Sequence, residues 1–118
     1  MKQEIKKFIT SFCLLLLSVT VFAADDFVEI PKLTARVTDL TNTLSNYTVK
    51  NLENELANFE QTKGSQIVVL IIATTGLETI EQYAIRVAEK WKLGREGVDD
   101  GVILLVAKED RKLRIEVG

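Results

Sequence analysis

The stretch Gly101-Val-Ile-Leu-Leu-Val-Ala-Lys-Glu-Asp-Arg-Lys-Leu-Arg-Ile-Glu-Val117 decides the fold of this 118-residue chain. Its first seven residues are uncharged and apolar, which is typical of a strand that is buried on both faces. A short charged turn follows, and residues 112–117 then alternate apolar and charged side chains. This period of two predicts a half-exposed antiparallel strand that pairs with the first strand through a hairpin.

A second buried strand and a helix precede this stretch. Residues 66–73 form another uncharged run, Gln-Ile-Val-Val-Leu-Ile-Ile-Ala. Thr79 and Gln82 have the spacing of a capping box, which predicts a helix near residues 79–92. Its buried face should carry the apolar residues at helical spacing, namely Ile80, Ala84, Val87, Ala88 and Trp91. A strand, a helix and a strand in this order predict a βαβ unit with two parallel strands and a right-handed crossover.

An earlier helix is indicated near residues 47–63. Apolar residues recur there at helical spacing, and Gly64 follows as a residue suited to the left-handed end of a helix. The sequence therefore predicts an α/β fold: a mixed sheet with helices on both faces, containing a βαβ unit followed by a β-hairpin. The predicted core consists of Leu52, Leu56, Phe59, Val69, Ile71, Ala84, Val87, Trp91, Ile103 and Leu105.

Residues 1–23 have the features of a secretory signal peptide. Lys2, Lys6 and Lys7 precede an apolar segment from Phe8 to Val21, and Ala23 ends a suitable cleavage site. The alternative is a retained membrane anchor, but the apolar segment is shorter than the ~20 residues that cross a bilayer. We therefore predict an exported protein, either periplasmic or membrane-tethered and facing the periplasm. Residues 24–44 are then a lead-in segment, and residues 45–118 form the domain.

Composition restricts the chemistry of the exported part. The signal segment holds three of the 15 basic and one of the 17 acidic residues, so 12 basic and 16 acidic residues remain. This mildly acidic balance argues against nucleic acid as a partner. The chain has no histidine, and its one cysteine, Cys13, lies in the signal segment. A catalytic triad, a Cys-His pair and an ordinary zinc site are therefore excluded. We also expect no nucleotide and no haem.

The concentrated chemical feature is Asp99-Asp100-Gly101, at the start of the second buried strand. Paired carboxylates in a glycine-containing loop supply hard oxygen ligands of the kind that Ca²⁺ or Mg²⁺ prefers. We therefore take Asp99 and Asp100, together with Asp39, as candidate metal ligands, and name no catalytic residue. The alternative is a solvated acidic turn in which one aspartate caps the loop backbone. The sequence pattern by itself favours that alternative.

The charged residues around the second helix have a simpler interpretation. Arg86, Lys90 and Lys92 are interpreted as a solvated face with favourable charge near the helix C-terminus. Trp91 is expected to anchor the core. The turn around Asp110 is expected to be ordinary hairpin chemistry.

Several ordered blocks of the chain resemble the TPM domain family. The opening block is Ile30-Pro-Lys-Leu-Thr-Ala-Arg-Val-Thr-Asp39, and the second helix ends in Trp91-Lys-Leu-Gly-Arg95. Asp99-Asp-Gly-Val102 and the run from Asp110 to Gly118 are close to the most specific blocks of the family. The resemblance covers nearly all of the exported part, although Asp39 is followed by Leu-Thr-Asn instead of the usual Ala-Gly pattern.

The resemblance implies an exported domain, often tethered by a later transmembrane helix, with a poorly defined function. Relatives have been credited with calcium binding through acidic loops or with acid phosphatase activity. The family also continues beyond the position of Gly118, so residues 45–118 are expected to be a truncated TPM domain and any membrane contact to use a helix outside this chain. Two hypotheses follow: an accessory domain that binds a divalent cation and an envelope protein, or a metal-assisted acid phosphatase. Arg95 and Arg111 are the arginines nearest the acidic loop in sequence.

Overall fold

The computed structural model describes residues 27–94 and 100–118. Their elements are β1 (Val37–Asp39), α1 (Asn46–Lys63), β2 (Gln66–Ile72), α2 (Ile80–Trp91), β3 (Gly101–Ala107) and β4 (Lys112–Val117). The four strands form one sheet in the order β1-β2-β3-β4. β1, β2 and β3 are parallel, and β4 is antiparallel to β3. The predicted mixed α/β fold, with its βαβ unit and hairpin, is confirmed.

Local sequence fixes the helix ends. The Ser45 side chain accepts a hydrogen bond from the Thr48 backbone at the start of α1, and Gly64 ends that helix at a φ of 80°. Thr79 and Gln82 form the predicted capping box of α2. The strand β1 is an addition, because the sequence indicated only extended chain in this region. It is short, and it lies at the edge of the sheet.

One face of the sheet, here called the α2 face, carries the core. Residues that are paired across parallel or antiparallel strands share a face, so alternate residues of β2 and β3 point to α2. The apolar side of α2 packs on them, together with Ile30 from the lead-in segment. The buried residues of this layer are Ile30, Val68, Leu70, Ile72, Ile80, Tyr83, Ala84, Val87, Trp91, Ile103, Leu105 and Ala107.

The opposite face, here called the α1 face, is covered less completely. α1 contacts β1 and β2, and Val37 and Ile71 are buried beneath it. No residue of α1 itself is buried. Leu52, Leu56 and Val69 are half-buried and Phe59 is 40% exposed. The prediction of the core was therefore right for α2, β3 and Ile71 and wrong for these four residues. The reason is that α1 lies on the sheet without burying its apolar side chains.

Among the described residues, no helix covers the α1 face where it reaches β4. Leu113, Ile115 and Val117, here called the open strip, share this face with Val106, Leu104 and Val102 of β3. Their exposed fractions are 60%, 60% and 68%. Over the two described ranges, no helix combines the length and the apolar character needed to cross a membrane.

Candidate functional site

The acidic loop enters the sheet at the N-terminal end of β3, and Gln66 holds both of its described ends. The Gln66 amide N–H donates to the Asp100 carbonyl over 2.9 Å. The side-chain Oε1 of Gln66 accepts a hydrogen bond of 3.0 Å from the Gly94 amide. Because Gln66 is the first residue of β2, the neighbouring strand fixes the points at which the loop leaves α2 and joins β3.

Gly101 is required by the same arrangement. A Cβ atom at this position would lie 2.4 Å from the Leu93 Cβ and 2.8 Å from the Leu93 carbonyl carbon. Such distances are far inside van der Waals contact, so the close approach of the two loop ends needs glycine. Gly94 and Asp100 are therefore both held by hydrogen bonds to Gln66, and Gly101 packs against Leu93.

The structure does not bring the three candidate metal ligands together. Asp100 is half-buried at the start of β3, and Asp99 lies outside the described residues. Asp39 lies at the far end of β1, paired with Ile71, whereas Gly101 pairs with Gln66. The five-residue offset along β2 corresponds to about 17 Å. Asp39 therefore lies at the opposite end of the parallel strands from the acidic loop.

Asp39 organises the loop between β1 and α1. Its carboxylate accepts hydrogen bonds from the Leu44 amide at 2.7 Å and from the Thr41 amide and hydroxyl at 3.0 and 2.9 Å. Burial alone raises the pKa of Asp39, but the hydrogen bonds from Leu44 and Thr41 outweigh it and hold this pKa below its ordinary value. The side chain therefore acts as an ionised acceptor that shapes a turn.

A second hydrogen-bonded carboxylate, that of Asp110, lies at this same C-terminal end of the parallel strands. Asp110, in the β3–β4 turn, accepts hydrogen bonds from the Thr75 amide at 2.9 Å and the Thr74 hydroxyl at 2.8 Å. These two donors lower the pKa of Asp110 below its ordinary value. Thr75 is buried and donates from its hydroxyl to the Glu78 carbonyl. Asp110 thus ties the hairpin turn to the loop that follows β2.

The lead-in segment is bound by side chains of α2. Residues 28–31 are here called the strap. Their four consecutive carbonyls accept hydrogen bonds from α2 side chains. The donors are Arg86 to Val28, Tyr83 to Glu29, Lys90 to Ile30 and Trp91 to Pro31, at 2.9 to 3.1 Å. Trp91 is buried as predicted.

The interpretation of Arg86 as part of a solvated face was wrong. Besides holding the strap, Arg86 pairs with Glu78 at 2.6 Å and stacks over the rings of Phe27 and Tyr83, both at 5.4 Å. The physical reason is that the strap runs beside α2. The charged side chains on that side of the helix therefore donate to backbone carbonyls of the strap instead of pointing into solvent. Phe27 and Val28, its two partners in the lead-in segment, are more than 50 residues away from Arg86 in sequence.

The family model of the TPM domain matches residues 37–118. The chain belongs to the TPM domain family. This match includes all four strands and both helices, and it begins after the strap.

Two solved structures are similar to this TPM domain. The solution NMR structure of the N-terminal domain of the cg2496 protein from Corynebacterium glutamicum has a TM-score of 0.61 and 20% identity, and the match covers 77% of this chain and 59% of that chain. The solution NMR structure of the N-terminal domain of a protein from P. gingivalis has a TM-score of 0.63 and 26% identity, covering 72% and 54%. The chain therefore spans a little over half the length of either structure. No curated protein matches the chain.

Within residues 27–94 and 100–118 of this TPM domain, no group of three or more acidic, histidine or cysteine side chains is placed to hold a metal ion. Sequence reasoning also missed Gln66 and Thr75, two polar residues that organise the ends of the sheet. A signal for both exists in retrospect. Gln66 opens an otherwise apolar strand and Thr75 follows it closely, and polar residues that bracket a buried strand mark where loops are anchored.

Proposed function

We propose that this TPM domain is an exported binding module of the cell envelope. It binds a divalent cation, Ca²⁺ or Mg²⁺, through Asp99 and Asp100, together with an envelope protein, and it performs no catalysis of its own. The observation that supports this proposal is that Gln66 and Gly101 hold the two described ends of the acidic loop, Gly94 and Asp100, in place. Asp39 is left out of the proposed site because it lies at the opposite end of the strands from Asp100 and accepts hydrogen bonds from the β1–α1 loop.

The loop supplies part of a coordination sphere. Ca²⁺ takes six to eight oxygen ligands, and Mg²⁺ keeps several waters when carboxylates bind it. Two adjacent aspartates and nearby backbone carbonyls leave positions for water or for an oxygen of the partner protein. We therefore expect weak binding by the isolated chain, with a dissociation constant on the order of 10⁻⁴–10⁻³ M, as in extracellular calcium modules. The partner protein would tighten binding by completing the sphere.

The geometry gives less support to the metal-assisted phosphatase. Phosphoryl transfer needs positive groups close to the transferring oxygens as well as a cation. Arg111 lies in the β3–β4 turn, at the opposite end of β3 from Asp100. Arg95 lies outside the described residues. The arginines 36, 86 and 114 are each paired with a glutamate of the fold. These positions favour binding over turnover.

A calcium titration followed by amide NMR tests the cation. We expect concentration-dependent shifts at residues 99–101 that disappear in Asp100→Asn and persist in Asp39→Asn. The second variant removes the same charge at the other end of the sheet and is the matched control. A titration of the full exported protein without shifts at residues 99–101 would contradict the cation proposal.

The same two variants separate binding from catalysis. Hydrolysis of a phosphate ester that is lost in Asp100→Asn and kept in Asp39→Asn would favour the phosphatase. Hydrolysis that neither change affects would indicate a contaminant.

Export is tested separately by sequencing the N-terminus of the secreted form, which we expect to begin at Ala24. A start before Ala24 would contradict cleavage of the signal segment.

A further inference from the structure

β4 is an edge strand with an uncommon combination of exposed groups. It runs for six residues, and within the described residues it pairs only with β3. The open strip places three aliphatic side chains on one face of it, and Arg114 and Glu116 point to the other face. Native proteins usually shorten, cover or charge such an edge, because its free backbone groups invite another strand.

The backbone of the open strip faces away from β3. The Gly118 amide donates to the Gly101 carbonyl at 2.9 Å, so this opposed pair is a hydrogen-bonded one. Hydrogen-bonded and non-hydrogen-bonded pairs alternate along an antiparallel ladder. The N–H and C=O groups of Leu113, Ile115 and Val117 therefore point outward, along the plane of the sheet, at the unpaired edge.

The other edge of the sheet, at β1, is short and partly occupied by a side chain. β1 has only three residues, and the Glu53 carboxylate of α1 accepts hydrogen bonds from the Arg36 and Val37 amides, both at 2.9 Å. Arg36 in turn pairs with Glu53 and Glu60. The Val69 amide donates to the Arg36 carbonyl and the Leu40 amide to the Ile71 carbonyl, so the Val37 amide points away from β2. Glu53 thus occupies one of the donors that a new strand would need at β1. Of the two edge strands in the described part of the chain, β4 is the longer.

We propose that two copies of this domain pair through β4, edge to edge and antiparallel, with Ile115 opposite Ile115 of the second copy. This register places Leu113 opposite Val117 of the second copy and Arg114 opposite Glu116, each twice. All outward backbone groups of the open strip then find partners, and the two four-stranded sheets become one sheet. Apolar and oppositely charged cross-strand pairs both stabilise such a contact.

Charge selects this register. A shift by two residues would also align outward backbone groups, but it would place Arg114 opposite Arg114 of the second copy. In the proposed register, Arg114 and Glu116 keep their own contact of 2.9 Å within one chain and gain a second partner of opposite sign. The sequence of β4 is therefore complementary to itself when two copies run antiparallel.

The helix above the strand fits the same arrangement. α2 contacts β3 and β4, so the two α2 helices would lie on one face of the joined sheet, about 10 Å apart, which is the spacing of packed helices. The strap binds the side of α2 that carries Tyr83, Arg86 and Lys90. Helical periodicity puts Ile85 and Ala88 away from that side. Ile85 is 46% exposed and Ala88 half-buried, so an apolar surface faces the expected neighbour.

Sedimentation velocity on the secreted chain tests the pairing. We expect a dimer that dissociates on dilution. Arg114→Glu and Glu116→Arg should each weaken it about tenfold or more, because each change sets like charges opposite each other twice. An equimolar mixture of the two variants should recover a dimer containing one copy of each, since an acidic strand then meets a basic one. Recovery in the mixture would show that the charges at positions 114 and 116 of the two copies face each other across the contact.

Further variants keep the test decisive if a single charge change impairs folding. The double variant Arg114→Glu/Glu116→Arg retains both the contact within the chain and the self-complementarity, so it should dimerise like the parent. Ile115→Pro removes an outward donor that β3 does not use and should give a folded monomer. Asp100→Asn should leave the dimer unchanged, which separates this contact from the cation site. A parent that stays monomeric, or single charge variants that dimerise as well as the parent, would overturn the proposal.

Discussion

The two faces of the sheet are built from alternate residues of the same strands, yet they differ sharply in cover. On the α2 face, Leu70, Leu105 and Val68 are fully buried beneath a helix that contributes five buried residues of its own. On the α1 face, the helix contributes none, and the open strip is more than half exposed. The comparison shows that apolar strand residues do not make a core until another element is positioned to cover them.

The means of attachment differ as well. α2 is held by the burial of its apolar side chains and by the hydrogen bonds that its side chains donate to the strap. α1 is fixed largely by polar contacts, in which Glu53 binds the Arg36 and Val37 amides and Arg36 reaches to Glu53 and Glu60. Hydrophobic burial contributes more per residue than partly exposed polar contacts do. We therefore expect stability to reside on the α2 face.

Adjacent leucines of β3 provide the strongest test. Leu105 is fully buried on the α2 face, and Leu104 is half-buried on the α1 face. Leu105→Ala should lower the free energy of unfolding by about 2–5 kcal/mol, as cavity-forming changes do. Leu104→Ala should cost about 1 kcal/mol, because less apolar area is lost. Equal losses in urea unfolding would remove the distinction between the faces.

The strap should contribute a smaller amount to the α2 face. Tyr83→Phe removes the hydroxyl that donates to the Glu29 carbonyl while keeping the buried ring. The expected loss is about 1–2 kcal/mol, the cost of leaving a carbonyl unpaired. Tyr47→Phe is the matched control, since Tyr47 is 76% exposed on α1, and it should change urea unfolding little. A control loss as large as that of Tyr83→Phe would mean that the strap bond is not the cause.

On the α1 face, Glu53→Gln should have a modest effect. An amide keeps one acceptor oxygen but loses the charge that pairs with Arg36, so about 0.5–1 kcal/mol of unfolding free energy should be lost. Hydrogen exchange should also report it, as faster exchange of the Arg36 and Val37 amides. Glu55→Gln, on an exposed residue of the same helix, serves as control. Unchanged exchange at β1 would show that Glu53 does not hold this edge.

The smallest effect is expected in acid, at the turn that Asp39 organises. The folded-state pKa of Asp39 is lowered, so its contribution is present above the unfolded pKa and is lost as the pH falls through the folded one. The urea midpoint should therefore decline below about pH 4. Asp39→Asn should flatten that decline, and Thr41→Val, which removes one donor to the carboxylate, should move it to higher pH. A decline identical in all three proteins would exclude Asp39 as its source.

Local sequence determined most of the elements. Uncharged β-branched runs gave β2 and β3, strict alternation gave β4, and the capping box with its apolar stripe gave α2, because these patterns act through neighbouring residues. The bounds differ from expectation by a residue or less where these signals are present. β1 was missed because three residues are too few for a periodic signal, and it is a strand only because β2 pairs with it.

Tertiary structure alone decided what covers each face and which polar residues meet. β2 and β3 are apolar on both sides. Their sequence therefore does not predict that α2 buries one side fully while α1 leaves the other side partly exposed. Arg86 and Lys90 have the pattern of a solvated helix side, and they become binding groups only when the strap lies beside them. By residue type, Asp39 and Asp100 are equally suitable as ligands of one metal ion. The parallel pairing of β1, β2 and β3 places them at opposite ends of the sheet. Periodicity encodes which side of an element is apolar, whereas contact between distant segments depends on strand order and direction, which no local pattern carries.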